Sequence, residues 1–392
     1  MPVAAISQYL NQTYDVIIVG GGPAGLSAAK SASKGGSRTL VLEEHREIGL
    51  PHHCSGWIWS CPYSEDLFEK PEFKKLILRK LDSQCIYGPS GKLAIEIPMK
   101  GWVIDRVEFD KVLASAAVRE GVDISLSSRV VGLLLEGDKV KGVSVKKGND
   151  TINIESKVVI GADGVKSIAS GISKQAELAE PRNIYADVQI EYSRVKKLNS
   201  RSIGIYLGSF SGTEFGFSAP TGEDSMMLSL GSLKNYEIAR KEYPPLESML
   251  KEAVPLAIFG GLAHVEGNRP FKRIIKDGLL LAGDAAGYAL VIRALITGSY
   301  AGMVAARAVE EGDVSAARLG EYNGKRSKGY LDEPDPLNSR ELLRSRGLTI
   351  GNQPHSLAKE HDAEIERALT LVAQQIRKNP EPPGLTKIEM VV

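Results

Sequence analysis

The chain has 392 residues, room for two or three domains or one large interleaved unit. It is 43% hydrophobic and 25% charged, which excludes disorder and collagen-like repeats. Its 49 basic against 48 acidic residues leave a net charge of +1, no electrostatic footprint for nucleic acid.

No apolar run is long enough to cross a bilayer, and no charged leader with a cleavage site precedes the first strand-like run. A cytoplasmic protein is therefore expected. The three cysteines (54, 61 and 85) are too few for a disulfide scaffold and form no C-x-x-C pair. Cys61 and Cys85 read as small buried apolar residues, and no metal site is expected.

In chain order, Tyr14–Val19 is an apolar strand, Gly20–Gly25 a tight turn, and Leu26–Gly36 an alanine-rich helix. Arg38–Leu42 is a second apolar run, closed by Glu43. The turn fits G-x-G-x-x-G. Gly20 permits the turn, Gly22 lets the backbone approach a pyrophosphate, and Gly25 lets helix pack on strand. Pro23 and Ala24 open the helix, whose N-terminal N–H groups favour an anion. Glu43, 18 residues after Gly25, is placed to accept hydrogen bonds from a ribose. To this point FAD and NAD both fit.

Glu108–Glu120 reads as a helix, Asp123–Ser127 as a short strand, and 129–160 as hairpin strands with turns at Gly137 and Gly148. Two further segments favour FAD: Gly161-Ala-Asp163-Gly and Gly283-Asp284-Ala-Ala-Gly287 each follow a buried strand. An aspartate there is placed to hold a ribityl hydroxyl or a pyrophosphate-bound water. Residues 182–270 have the texture of an antiparallel sheet. Leu295–Glu311 reads as a helix, and the last eighty residues are charged and helical, ending in Pro380, Pro382 and Pro383.

With these motifs the chain resembles the geranylgeranyl reductase family, within the flavoprotein group that includes aromatic hydroxylases. The resemblance covers roughly 14–310. It also rests on Gly49-Leu-Pro51-His-His-Cys54-Ser-Gly56, Ile86-Tyr-Gly-Pro-Ser90 and Gly101-Trp-Val-Ile-Asp-Arg106-Val-Glu-Phe-Asp110. It implies FAD held by the Ala24 loop at the pyrophosphate and by Glu43 at the adenosine ribose. It further implies Val130 at the adenine, Arg106 near the phosphate or ribityl chain, and Asp284 at the ribityl–pyrophosphate region. Cys54, Ser55 and Gly56 would lie near the isoalloxazine.

Two departures from the family pattern stand out. After Gly-Asp, an Asn-Pro- or Asp-Pro-type turn and a glycine cluster are replaced by Tyr288-Ala-Leu-Val-Ile-Arg293-Ala-Leu-Ile-Thr-Gly298. Ala294 and Leu295 then fall at the flavin ring. Arg293 reads equally as a guanidinium near the ring or as a buried helix-start arginine. The family's Tyr-x-Trp-x-Phe-Pro becomes Phe215-Gly-Phe217-Ser-Ala-Pro220, which keeps apolar ends but loses the tryptophan, so a changed pocket is expected.

The fold expected is α/β: a discontinuous Rossmann-like FAD-binding domain (1–62, 100–181, 270–312) interleaved with an α+β substrate domain (63–99, 182–269). A C-terminal helical region spans 313–392. The activity expected is saturation of C=C bonds in isoprenoid lipid chains. Reduced flavin supplies the hydride, and Cys54, His53 or Tyr87 the proton, with His52 beside them. Electron transfer to a quinone, flavin monooxygenase chemistry and a degenerate flavin-binding scaffold are the alternatives. No second G-x-G-x-x-G is present for a nicotinamide, so the donor would be external, a ferredoxin or a diffusible reduced cofactor. Peripheral contact with the cytoplasmic membrane face is expected through an apolar mouth.

Overall fold

The computed structural model describes residues 13–180, 184–211, 216–264, 270–326, 359–378 and 388–390. The chain passes back and forth between two compact units. One is drawn from 1–51, 107–184 and 262–333, the other from 52–106, 185–261 and 334–392.

Helix α1 (Pro23–Lys34) joins β1 (Tyr14–Val19) to β2 (Thr39–Leu42) in the first unit. The second unit follows with β3 (Trp57–Trp59), β4 (Ile77–Tyr87) and β5 (Leu93–Ile104). Helix α2 (Arg106–Arg119) and strands β6 (Asp123–Ser125), β7 (Arg129–Glu136), β8 (Lys139–Lys147) and β9 (Asp150–Gly161) return to the first. Next come β10 (Ile184–Ser193), β11 (Ser202–Tyr206), β12 (Gly216–Pro220), β13 (Met226–Gly231), α3 (Leu233–Glu242), α4 (Pro244–Leu250) and β14 (Val254–His264). Strands β15 (Ile275–Lys276) and β16 (Leu279–Leu281) and helix α5 (Val291–Glu311) belong to the first unit. Helix α6 (Lys359–Lys378) and β17 (Ile388–Met390) fall in the second.

The first unit's sheet runs β15-β16-β9-β1-β2-β6, with β8 on β9 and β7 on β8. Strands β1, β2, β9 and β16 pair in parallel. Residues Val16–Ile18 are fully buried, as an unbroken apolar run requires in a sheet covered on both faces. The hairpin expected from Gly137 and Gly148 is present, both glycines having positive φ (+60° and +63°).

The second unit's sheet runs β14-β10-β13-β12-β11-β4-β5-β17, with β3 on β5. The pairs β10–β13, β13–β12, β12–β11, β4–β5, β5–β17 and β3–β5 are antiparallel, and β11 on β4 is parallel. One cluster packs Ile190, Met226, Leu228 and Leu230 with Tyr236 and Ala239 of α3 and Leu246 and Leu250 of α4. Another packs Leu81, Ile86, Ile95, Ile203 and Ile205 with Ile365, Leu369 and Ala373 of α6. The charged C-terminal stretch thus contributes an amphipathic helix to this unit's core, where the sequence pointed to a separate region. The units divide at Pro51/His52 and near Arg106. The Cys54 turn and β3 therefore go with the second unit, although the sequence texture put that boundary near residue 62. The reason is pairing: β3 hydrogen-bonds to β5, not to the parallel sheet.

The α/β and α+β architecture is as expected. Among the described residues, no helix is long and apolar enough to cross a membrane. The Pro380–Pro383 tail lies outside them.

Candidate functional site

In the first unit the glycine loop divides its labour. Gly20 sits at φ +106°, and a Cβ there would lie 2.4 Å from the Ala162 carbonyl oxygen. A Cβ on Gly25 would lie 1.9 Å from the Gly20 oxygen, so only glycine lets α1 pack on β1. Gly22 is different. Its backbone is ordinary (φ −85°), and an added Cβ would meet nothing within 4 Å. Neither conformation nor packing asks for glycine at this position, whereas the close approach of a ligand's phosphates does. Gly22 is also the N-cap of α1 and makes no side-chain cap, with Pro23 opening the helix and Ala24 buried behind it. The residues present fit a dinucleotide pyrophosphate.

Glu43 is 8% exposed. One carboxylate oxygen accepts the Gly21 N–H at 2.6 Å; the other accepts the His45 N–H at 2.8 Å and lies 2.6 Å from His45 Nδ1. The acid is thereby oriented at the end of β2. The Ser128 N–H donates to the Glu43 carbonyl at 2.8 Å, which sets half-buried Val130 two residues away along β7.

Asp163 lies two residues past the end of β9 and accepts the Ile172 N–H at 2.9 Å; burial pushes its carboxyl above the ordinary range. Asp284 lies in a tight turn between Gly283 (φ +61°) and Gly287 (φ +80°). Burial pushes its carboxyl up to about 6. The Gly283 N–H donates to Thr297 Oγ at 3.1 Å, tying this turn to α5.

Helix α5 begins at Val291, four residues before the sequence pattern placed it. Arg293, Ala294 and Leu295 therefore lie in its first turns and are buried (3%, 6% and 1% exposed). The Ala294 N–H is spent on the Leu290 carbonyl at 2.9 Å, and the Leu295 carbonyl accepts Ser27 Oγ–H at 2.7 Å. At its start the helix also presents the Val291 and Ile292 N–H groups, which have no carbonyl one turn back within it. Leu290 before them has φ +83°, where only glycine rests without strain. A Cβ on Gly298 or Gly302 would come within 2.1 Å of the carbonyl oxygen of Ala24 or Ala28. This Gly-x-x-x-Gly pair seats α5 directly on the backbone of α1, a role the sequence analysis missed although its spacing was visible.

In the second unit, Gly56 has φ +77°; a Cβ there would lie 2.1 Å from the Ile104 oxygen, whose own N–H donates to the Gly56 carbonyl at 3.0 Å. This pins the Cys54-Ser-Gly turn against the Ile104–Arg106 segment. Ser55 and Arg106 are buried (4% each), and Cys54 is half-buried with a free thiol. His52 Nε2 lies 2.8 Å from the Cys54 carbonyl, so that nitrogen carries the proton. Its ring stacks on Phe259 at 4.0 Å and 11°. Burial foremost, with the His53 and Arg106 charges, lowers its pKa and keeps it neutral. His53 is exposed.

Trp57, directly after this turn, packs on Phe217 of β12 with centroids 6.0 Å apart. An indole thus returns beside β12 from a different element. No periodicity signals that; only the fold does. Pro220 closes β12 opposite Met226, and Phe215 lies outside the described residues. Tyr87 stacks on Tyr206 (5.3 Å) and lines a cavity of about 210 Å³ with Cys85, Glu96, Tyr206, Ser218 and Met249. Burial drives its hydroxyl far above the ordinary range, which makes it a weak acid. Cys54 and His53 do not line that cavity. Cys85 is half-buried and lines it, contrary to the expectation of a buried filler, whereas Cys61 is buried.

Residues 15–171 match the model of the FAD dependent oxidoreductase family. The chain is 30% identical over 390 residues to digeranylgeranylglycerophospholipid reductase 1 of Methanothermobacter thermautotrophicus, covering 94% of this chain and 96% of that one. It is 32% identical to the digeranylgeranylglycerophospholipid reductase of Methanococcus vannielii (85% and 87% covered). The crystal structure of a geranylgeranyl bacteriochlorophyll reductase-like protein from Thermoplasma acidophilum superposes with a TM-score of 0.69 at 26% identity, over 94% of this chain and 90% of that one. A flavin-dependent brominase (TM-score 0.64, 18% identity, 94% and 92% covered) shares the fold. The chain belongs to the digeranylgeranylglycerophospholipid reductase family of FAD-dependent oxidoreductases.

Proposed function

We propose that this enzyme saturates C=C bonds in the isoprenoid chains of a digeranylgeranylglycerophospholipid-type membrane lipid. FAD, when bound, supplies the hydride. In the first unit, Gly22 and the N-terminus of α1 bind its pyrophosphate, Glu43 its adenosine ribose, and Asp163 and Asp284 its remaining hydroxyl and phosphate groups.

The observation that carries the reading is the packing of Trp57 on Phe217 directly after the pinned Cys54 turn. It provides an aromatic wall for an apolar chain beside a thiol that can move a proton. An isolated alkene is a poor hydride acceptor, so proton transfer to the second carbon must be well advanced in the transition state. Cys54 is the group we assign to that proton. Neutral His52 holds the Cys54 backbone and is itself held by Phe259, so it positions the thiol. An external reductant and peripheral contact with a membrane complete the proposal.

Incubation of the FAD-loaded protein with digeranylgeranylglycerophospholipid under dithionite should give products heavier by two mass units per bond. Cys54→Ala should lower turnover on the order of a hundredfold while leaving FAD content unchanged, the range in which a general acid contributes. Lipid of unchanged mass with fully reduced protein would refute the assignment.

A further inference from the structure

We propose that the outer half of β14 is a docking surface for an anionic lipid bilayer, with the Cys54 turn packed behind the same strand. Strand β14 is the edge of the second unit's sheet, and its eleven residues, Val-Pro-Leu-Ala-Ile-Phe-Gly-Gly-Leu-Ala-His, carry no formal charge. Val254, Leu256 and Ile258 alternate and so share one side of the strand. They are 41%, 61% and 64% exposed. Three large aliphatic side chains in a row on one side form a stripe, not the scatter that any soluble surface shows.

Charge identifies the occupant. The Lys196 N–H donates to the Met249 carbonyl at 3.1 Å, which fixes the Arg194–Lys197 loop against the end of α4, where the chain turns into β14. Arg194, Lys196, Lys197 and Lys251 are all exposed there, and Glu252 pairs with Lys196 at 3.3 Å. A cationic border beside an aliphatic stripe matches anionic headgroups above acyl chains. A second copy of this chain is the poorer fit, because Pro255 removes an N–H donor from the edge, a common block to strand-on-strand pairing. The side chains alone need enter the lipid, since the backbone edge stays at headgroup depth, where water satisfies it.

The inner end of the same strand meets the candidate site. Phe259 stacks on His52, and a Cβ on Gly261 would lie 3.1 Å from the His53 Cβ. Ile258 and Gly261 are three residues, about 10 Å, apart. Phe259 and Gly261 lie on the opposite side of the strand from the stripe, so docking brings the strand edge, with the Cys54 turn packed behind it, to the bilayer surface. This use of the surface rests on the reductase reading; the lipid docking itself needs no turnover.

The test is flotation of the FAD-loaded full chain with vesicles of phosphatidylcholine, with and without phosphatidylglycerol, alongside the oligomeric state by light scattering. The native protein should float with the anionic vesicles. Leu256→Glu/Ile258→Glu should weaken that binding at least about tenfold, with FAD content, melting temperature and turnover of detergent-dispersed substrate unchanged. Lys196→Glu/Lys197→Glu should abolish the preference for phosphatidylglycerol. Equal flotation of native and Leu256/Ile258 variant protein would overturn the proposal, as would conversion of a native dimer to monomers with flotation unchanged. Loss of flotation in the variants of a protein that reduces no lipid would leave the docking surface standing and remove the reductase reading.

Discussion

At the residue scale, the glycines of the first turn separate a folding role, at Gly20 and Gly25, from the cofactor-binding role proposed for Gly22. Gly22→Ala should leave the melting temperature within a degree or two yet weaken FAD binding at least about tenfold, because the added methyl meets no protein atom and faces the incoming phosphates. Gly25→Ala should instead destabilise the apo-protein by several kcal/mol, on the order of 3, because its methyl would overlap the Gly20 oxygen. Thermal melts of apo-protein with FAD titration read both. Asp284 gives a pH-dependent case. Its carboxyl, raised from 3.8 to about 6, makes the folded state hold the proton where the unfolded chain has released it. Apo stability therefore falls as pH rises from about 4 to 6, and the cost is complete above 6. Asp284→Asn should accordingly stabilise the apo-protein above pH 6 by on the order of 2 kcal/mol, a gain that shrinks towards pH 4. It should also weaken FAD binding, since a carboxylate acceptor is lost.

At the element scale, the sequence announces the parallel sheet well and the start of α5 poorly. Strand β1, the turn after it and α1 follow from unbroken apolar runs and glycine spacing. The start of α5 does not, because the Asn-Pro-type turn and glycine cluster that mark it in the family are replaced by Ala-Leu-Val-Ile, which carries no start signal. The helix begins early all the same: Gly298 and Gly302 bind it to α1 along its length, and Thr297 anchors the Gly283 turn, so tertiary packing fixes where it must start. Leu290 takes the strain. Leu290→Gly should raise apo stability by about 1 kcal/mol in denaturant melts, relief of a conformation foreign to L-residues outweighing the lost half-buried side chain.

At the scale of the whole molecule, interleaving hid the rest. Trp57 beside Phe217, and Phe259 stacked on His52, are contacts between residues 160 and 207 positions apart, and no local pattern encodes them. The charged C-terminal stretch likewise reads as a separate helical region, because only one of its faces is apolar. That face, Ile365, Leu369 and Ala373, completes the second unit's core. Leu369→Ala should therefore cost about 2–4 kcal/mol and lower the melting transition measurably.

Electrons held by this protein are expected to end on a lipid alkene. The direct measurement is a single anaerobic turnover: protein bleached with one equivalent of dithionite, mixed with digeranylgeranylglycerophospholipid or with a quinone, and followed by flavin absorbance and lipid mass. The yellow colour should return with the lipid, one bond saturated per flavin. Colour that returns rapidly with the quinone, and not with the lipid, would contradict it.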